Sequence, residues 1–248
     1  MKVRFLSGNA IKILAAALMV VDHVGMIFYP QAMWLRCIGR ISFPLFAFML
    51  AEGCRYTKNR FNHIILLSIV AVICQIAYFV AQGTLSMCIF VTFTLSSLNI
   101  CALQNFKRAA FSGAKAYDIC LCAFAFIGMV FLTYVLNCIT DINGIAFHIE
   151  YGFMGCMLPV AASVFDFRGI AVGDLAILDN HYIKLFCFFV WLVLLCVFSS
   201  VIQWYSLLSV IPLALYSGDR GKLKLKYFFY IFYPAHLGLL YLIAHLIA

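Results

Sequence analysis

The chain has 248 residues, of which 66% are hydrophobic and 10% are charged, and its formal net charge is +8. Soluble domains are about 45–50% apolar and about 25% charged, so a water-soluble fold of this composition would lack the polar surface to cover itself. A nucleic-acid-binding face would gather its Lys and Arg on one soluble surface, whereas here they lie in short clusters between apolar runs. The composition therefore predicts a protein embedded in the lipid bilayer and no nucleic-acid partner.

Nine apolar runs bounded by charges, Gly or Pro are candidate membrane spans, because about 20 apolar residues cross a bilayer. In chain order they are Ile11–Tyr29, Leu35–Gly53, His63–Gln82, Met87–Phe106, Tyr117–Cys138, Glu150–Phe165, Lys184–Ser200, Gln203–Ser217 and Tyr227–Ile247. The sixth and eighth runs are short, and almost no loop separates the seventh from the eighth. The sequence predicts an all-α fold, a polytopic transmembrane helix bundle of about nine spans, as a single integral membrane domain over residues 1–248.

The basic residues fall in every second loop of this arrangement. They are Arg55, Lys58 and Arg60, then Lys107, Arg108 and Lys115, then Arg168, and finally Arg220, Lys222, Lys224 and Lys226. The intervening loops, residues 30–34, 83–86, 140–149 and 201–202, contain no Lys or Arg, and Arg36 alone lies close to their side. By the positive-inside rule, the amino terminus is predicted to be cytoplasmic and the carboxyl terminus to lie outside.

Ionisable residues inside the spans are the candidate functional residues, because a charge at membrane depth costs several kcal/mol unless it is paired or hydrated. Asp22 and His23 lie near the predicted midplane of the first span, and His236 lies near that of the last. Arg40 lies in the outer part of the second span, and Glu52 lies near its cytoplasmic end. We expect Arg40 to be the counter-ion of Asp22, and His236 to be a neighbour of His23.

Two prolines add backbone polarity to this group. Pro44 cannot donate to the carbonyl of Arg40, and Pro234 cannot donate to that of Tyr230. Such unpaired carbonyls are tolerated only against protein or a wet cavity, so a polar pocket between spans one, two and nine is expected, with Tyr230 as a further candidate. Two structural alternatives stay open: an Asp–Arg pair that only holds helices together, and Glu52 acting as a solvated partner of Arg55.

The 11 cysteines are scattered singly, mostly inside predicted spans, with no C-x-x-C pair. Neither a disulfide framework nor a metal site is expected from this pattern. We interpret these cysteines as small packing residues.

Four segments resemble the TraX family, whose name-giving member acetylates conjugative pilin. They are KILAAALMVVDHVG, GRISFPLFAFMLAEGCRYTKN, YSGDRGK and FYIFYPAHLGLLYLIA, and they occur in this order from the first span to the last. The family is similar to the wider set of multi-span membrane acyltransferases. Its polar motifs fall on Asp22 and His23, on Gly39, Arg40 and Pro44, on Glu52 and Gly53, on Gly218, Arg220 and Gly221, and on Pro234 and His236.

The resemblance implies a multi-pass protein of the bacterial inner membrane that transfers an acetyl group from acetyl-CoA. The acceptor would be an amine or a hydroxyl, on a protein or peptide amino terminus or on a glycan. Such a transfer requires a general base and a group that stabilises the oxyanion, but no metal. We hypothesise that His23 is the base, oriented by Asp22, and that Arg40 or His236 stabilises the oxyanion. The roles of the two histidines are interchangeable at this stage.

The phosphates of CoA require a basic site that is open to the cytoplasm. The candidates are the basic residues that flank the second and last spans: Arg55, Lys58, Arg60, Arg220 and Lys222. Glycines in the segment SGDRG would also let backbone N–H groups approach a phosphate. The competing explanation is topology, because basic inner loops are expected in any membrane protein of this kind.

A different class of function also fits the buried His, Asp and Arg residues and the proline-containing helices. A proton-coupled transporter or a flippase has the same features. Transporters of that kind usually contain internal repeats, and none is apparent here.

Overall fold

The structure is a computed structural model that describes residues 4–57, 59–83, 85–223 and 225–247. About 75% of it is helical, which confirms the all-α prediction. Within the described residues the α-helices are α1 (Gly8–Ile27), α2 (Met33–Gly39), α3 (Ser42–Tyr56), α4 (Arg60–Gln82), α5 (Ile89–Phe111), α6 (Ala116–Cys138), α7 (Gly152–Ser163), α8 (His181–Val197), α9 (Val210–Ala214) and α10 (Lys226–Ile247). Two 3₁₀ helices, Gly173–Leu178 and Val201–Ser209, precede α8 and α9.

Six helical segments of the described residues are long and apolar enough to cross a membrane. They are Gly8–Ile27, Met33–Tyr56, Arg60–Val80, Ile89–Phe111, Ala116–Cys138 and Phe228–Ile247. The other three predicted spans correspond to the shorter apolar segments Gly152–Ser163, His181–Val197 and Val201–Ala214. The count of nine spans and the cytoplasmic amino terminus therefore stay predictions.

The second predicted span is divided into two helices. α2 ends at Gly39, Arg40 and Ile41 form a turn, and α3 begins at Ser42. Pro44 is the third residue of α3, where a missing N–H leaves no intrahelical bond unmade. The proline therefore fits without strain, and the break places Arg40 at a helix end.

The chain folds into two compact units. One comprises Met1–Met49 and Leu192–Ala248, and the other comprises Leu50–Trp191. The boundaries fall inside α3 and α8. Each unit is described by itself below, and the prediction of a single domain over residues 1–248 stays a prediction.

In the first unit, α1 and α2 form a closely packed antiparallel pair. A Cβ placed on Gly25 would lie 2.7 Å from the Cβ of Leu35, and one placed on Gly39 would lie 2.6 Å from the Cγ of Asp22. Small residues let two helix backbones approach closely in a membrane. The two glycines thus fix a register in which Asp22 faces the end of α2.

In the second unit, α5 is the central helix, since 61% of its membrane-spanning stretch is buried, against 6% for α6. Several of its buried hydroxyls and amides bond to neighbouring elements. Thr92 Oγ1 donates to the carbonyl of Glu150 at 2.7 Å, Ser96 Oγ lies 2.8 Å from that of Cys156, and Asn99 Nδ2 donates to Thr133 Oγ1 at 2.8 Å. These bonds satisfy polar groups for which lipid offers no partner.

A three-stranded sheet lies at one end of the second unit and was not predicted. It consists of β1 (Leu85–Met87), β2 (Asp141–Ile142) and β3 (Ile145–Ile149). β3 pairs parallel with β1 and antiparallel with β2. The pairing of residues 85–87 with 147–149 brings together two loops that the charge pattern assigns to the same side of the membrane.

Loops assigned to the basic side also meet within each unit. Arg55 forms ion pairs with Asp166 and Asp179 at 3.1 and 2.6 Å in the second unit. In the first unit, Leu6 forms a parallel bridge with Tyr216. Both contacts agree with the alternation of loops that the charge pattern predicts.

Candidate active site

Two histidines from opposite ends of the chain form a hydrogen-bonded pair in the first unit. His23 lies on α1 and His236 on α10, and the Nδ1 of His23 is 2.9 Å from the Nε2 of His236. The ring centroids are 5.0 Å apart. The prediction that these two histidines are neighbours is confirmed.

The second ring nitrogen of His236 determines the tautomers of the neutral pair. Nδ1 of His236 lies 2.8 Å from the carbonyl oxygen of Phe232. A carbonyl oxygen only accepts, so Nδ1 carries the proton and Nε2 of His236 has a lone pair. In the neutral pair His23 then donates from Nδ1, and the lone pair of its ring lies on Nε2.

Aromatic side chains hold this pair in place. The ring of Phe232 stacks on His236 with centroids 5.0 Å apart. Tyr233 meets both histidines edge-on, at 6.5 Å from His23 and 5.7 Å from His236. Tyr233 and His236 are buried, with exposed fractions of 6% and 8%. Sequence reasoning missed Tyr233, although its position three residues before His236 places it on the same face of α10. The predicted candidate Tyr230 is half-buried one turn before Pro234.

Asp22 forms its ion pair with Arg36, whereas Arg40, the expected counter-ion, acts on Asp22 through its charge without a direct ion pair. Nη1 of Arg36 lies 3.2 Å from Oδ2 of Asp22 and 3.4 Å from its backbone carbonyl. In the antiparallel register of α1 and α2, Asp22 faces Gly39, between Arg36 on one side and Arg40 on the other. Arginines spaced i, i+4 share one helix face, and that spacing was the signal for Arg36 in the sequence.

Arg40 still acts on the site through its charge. It is close enough to interact electrostatically with both Asp22 and His23. Its Nε is buried and has no hydrogen-bond partner among the described residues, and neither has Oδ1 of Asp22. Two guanidinium groups therefore act on the Asp22 carboxyl group and on the histidine next to it.

A loop of the first unit contacts the amino-terminal end of α1. The histidine pair lies near the opposite end of that helix. The first free N–H groups of α1 donate to this loop, Gly8 to the carbonyl of Asp219 at 2.7 Å and Asn9 to that of Arg220 at 2.9 Å. Gly221 has a φ of +89°, and a Cβ there would lie 2.9 Å from Ser7 Oγ. The glycines of SGDRG therefore serve the approach of this loop to α1.

The predicted CoA-binding residues are divided between the two units. Arg220 and Lys222 are exposed in the loop at the amino-terminal end of α1, where Arg220 lies near enough to Lys12 for their charges to repel. Arg55 and Arg60 lie in the second unit, and Lys58 lies outside the described residues.

Arg55 is part of a partly buried ion-pair cluster. It binds Asp166 and Asp179, and Lys184 binds the same two aspartates at 3.9 and 2.6 Å. Glu52 is close enough to interact electrostatically with Arg55, which agrees with the alternative that Glu52 is a solvated partner of Arg55.

Comparison with known families adds to this geometry. The family model described as TraX protein matches residues 7–244, nearly the whole chain. The chain belongs to the TraX family. The comparison with curated proteins and the comparison with solved structures gave no match.

The motif residues of the TraX resemblance have distinct places in this structure. Asp22, His23 and His236 form the site itself, and Gly39 lets α2 lie against the Asp22 carboxylate. Gly218 and Gly221 have φ values of +86° and +89° in the loop that binds α1. The family motifs of the first unit therefore collect at two places, around the histidine pair and at the amino-terminal end of α1, whereas Glu52 and Gly53 lie in the second unit.

Proposed function

We propose that this TraX-family protein is an integral membrane acetyltransferase of the bacterial inner membrane. It moves the acetyl group of cytosolic acetyl-CoA to an amine or hydroxyl acceptor at or across the membrane. One observation carries the proposal: His23 and His236 are hydrogen-bonded at 2.9 Å, with the second nitrogen of His236 bound to a carbonyl. This arrangement suits a general base, and family membership points to the same chemistry.

His23 is the proposed base because the hydrogen-bond pattern of the neutral pair places the lone pair of its ring on Nε2. As the acceptor attacks the thioester carbonyl carbon, Nε2 of His23 takes the proton from the attacking nitrogen or oxygen. The positive charge on the ring is shared with His236 through the 2.9 Å hydrogen bond. Collapse of the tetrahedral intermediate breaks the carbon–sulfur bond, and the leaving CoA thiolate takes the proton from His23, which restores the neutral base.

Arg36 and Arg40 are the proposed electrostatic partners of the intermediate. Its oxyanion needs a fixed positive or hydrogen-bonding group, and such groups are most effective where water is excluded. Arg36 is ion-paired with Asp22, whereas the N–H group at the buried Nε of Arg40 has no hydrogen-bond partner among the described residues and can donate. Arg40 is therefore the proposed oxyanion ligand, and Asp22 with Arg36 holds the charge balance beside His23.

Arg220 and Lys222 are the proposed contacts for the phosphates of CoA. They are exposed at the amino-terminal end of α1, about 22 Å from His23 at 1.5 Å per residue. An extended thioester arm would have to cover this distance along the helix. Arg55 is a weaker candidate because two carboxylates already bind it.

The test uses membrane vesicles that contain the protein and acetyl-CoA labelled in the acetyl group. Label should pass to membrane-bound or lumenal material, and His23→Ala should abolish this transfer while the protein stays inserted. His245→Ala is the matched control, because His245 is exposed near the end of α10. Near-normal transfer by His23→Ala would refute the role of this histidine.

A separate variant tests the CoA site. Replacing both basic residues, Arg220→Gln with Lys222→Gln, should raise KM for acetyl-CoA more than it lowers kcat.

The alternative function is a proton-coupled transporter or flippase, which a buried histidine pair on a proline-containing helix would also serve. The vesicle assay distinguishes the two. Accumulation of a solute without consumption of the thioester would support transport and contradict the acetyltransferase.

A further inference from the structure

Two of the eleven free cysteines meet in the second unit. Cys74 lies on α4 and Cys88 directly precedes α5, and each has an exposed fraction of 3%. The two thiols are near enough to interact electrostatically. Other buried thiols contact hydroxyl, amide or carbonyl groups, as Cys54 does with Ser97. Cys74 and Cys88 are therefore neighbouring thiols with no side-chain hydroxyl or amide partner in the described part of the chain.

The fold holds the two sulfurs together through a polar clamp. The side-chain amide of Gln75 accepts from the backbone N–H of Cys88 at 3.2 Å and donates to the carbonyl of Ser86 at 3.3 Å. Sγ of Cys88 lies 3.8 Å from the carbonyl of Ala71. Ala71 and Cys74 are three residues apart on one face of α4, so the Cys88 thiol rests on the face that carries Cys74.

We propose that Cys74 and Cys88 are a redox-active pair that forms an intramolecular disulfide. The oxidant is a second disulfide, of the thiol–disulfide exchange class. One cysteine thiolate attacks a sulfur of the oxidant and expels the first thiolate from it. The other cysteine thiolate then attacks the mixed disulfide and expels the second thiolate. One S–S bond forms in the protein, one breaks in the oxidant, and the two cysteine protons end on the two released thiols.

The position of the pair gives this disulfide a structural effect. Cys88 follows β1, whose parallel partner β3 belongs to another loop. It is also at the opposite end of α5 from Lys107, and so at the end of the unit away from the basic loops. In the predicted topology this end faces the outer, oxidising side, where disulfides persist. Oxidation would join α4 covalently to the segment that carries β1 and so tie the small sheet to the helices.

The test is a peptide map of the full-length protein in membranes after treatment with dithiodipyridine, a small membrane-permeable disulfide. Free thiols are then alkylated, and the digest is analysed by mass spectrometry. We expect a Cys74–Cys88 cross-linked peptide, lower in mass by two hydrogen atoms than the sum of its parts and absent after reduction. Cys120, which is exposed on α6, should remain outside any intramolecular link and reports access of the reagent.

The wild-type map alone decides the question, so no variant has to fold. Recovery of Cys74 and Cys88 as separate alkylated peptides, while Cys120 has reacted with the reagent, would overturn the proposal. A link from Cys88 to any other cysteine would overturn it too. As a second measurement, oxidation should raise the melting temperature of the wild type and of Cys120→Ser, but not that of Cys74→Ser. Neither result depends on acetyl transfer.

Discussion

Gly39→Ala tests whether the close approach of α2 to Asp22 is needed for the site. A Cβ at this position would lie 2.6 Å from Cγ of Asp22 and closer still to its Cβ. Ordinary carbon–carbon contacts are about 3.5–4.0 Å, so one helix must move by about 1 Å or the Asp22 side chain must leave its place. His23 is the next residue on α1 and would move with it.

Gly39→Ala is expected to lower both the stability of the protein and the rate of acetyl transfer. Overpacking of this kind usually lowers the free energy of unfolding by about 1–3 kcal/mol. A displacement of about 1 Å at a reacting group can lower the rate about 10²-fold. Gly39→Ala should therefore reduce acetyl transfer by about two orders of magnitude, as measured by the label passed from acetyl-CoA in vesicles. The protein should stay inserted, with a lower melting temperature.

Gly128→Ala is the matched control. Gly128 is also inside a helix, and nothing lies within 4 Å of a Cβ placed there. This substitution should leave transfer unchanged, and it should stabilise α6 slightly because Ala is the better helix former. If Gly39→Ala retained transfer within about twofold of wild type, the register of α1 against α2 and its role in the site would be refuted.

Three further predictions concern the ion pair, the buried lysine and the topology. Arg36→Gln should lower acetyl transfer at least tenfold, because it removes the ion pair with Asp22 that holds the site. Arg36→Lys should retain only part of the wild-type transfer activity, since the guanidinium geometry is lost. Equal activity of both variants and the wild type would contradict the role of this ion pair. Lys107→Met should lower the free energy of unfolding by about 2–3 kcal/mol, because its Nζ donates at 2.7 and 3.1 Å to two buried carbonyls that would lose their donor. Thermal unfolding measures this loss, with the exposed Lys115→Met as a near-neutral control. Alkaline phosphatase fused after Ser112 should be inactive and after Gly144 active, because the charge pattern places these loops on the cytoplasmic and outer sides; the reverse result would invert the topology.

The ion pair of Asp22 illustrates how far the sequence could go. Hydropathy and the rarity of charges identified Asp22 as a residue that needs a partner. The sequence led us to expect Arg40 and could not show that Arg36 forms the ion pair, because the two arginines are one helical turn apart. Which of them bonds depends on the register of two helices, and that register is fixed by contacts at Gly25 and Gly39.

The loop SGDRG shows the same limit for backbone geometry. Its glycines suggested a place where N–H groups could approach a phosphate. In the structure, Gly221 instead lets the loop approach the start of α1, where its neighbours supply carbonyl acceptors to free N–H groups. Positive φ and close approach both call for glycine, so the residue type alone does not distinguish a ligand site from a helix cap.

The sequence by itself determined the apolar, helical character of the chain, most of its helical segments and most of the polar residues that form the candidate site. These properties depend on composition and on local periodicity, which need no knowledge of the fold. Only the tertiary structure decided that His23 bonds to His236, that Arg36 holds Asp22, and that two scattered cysteines meet. Such contacts join residues up to 213 positions apart, and their geometry comes from helix packing, which local sequence patterns do not specify.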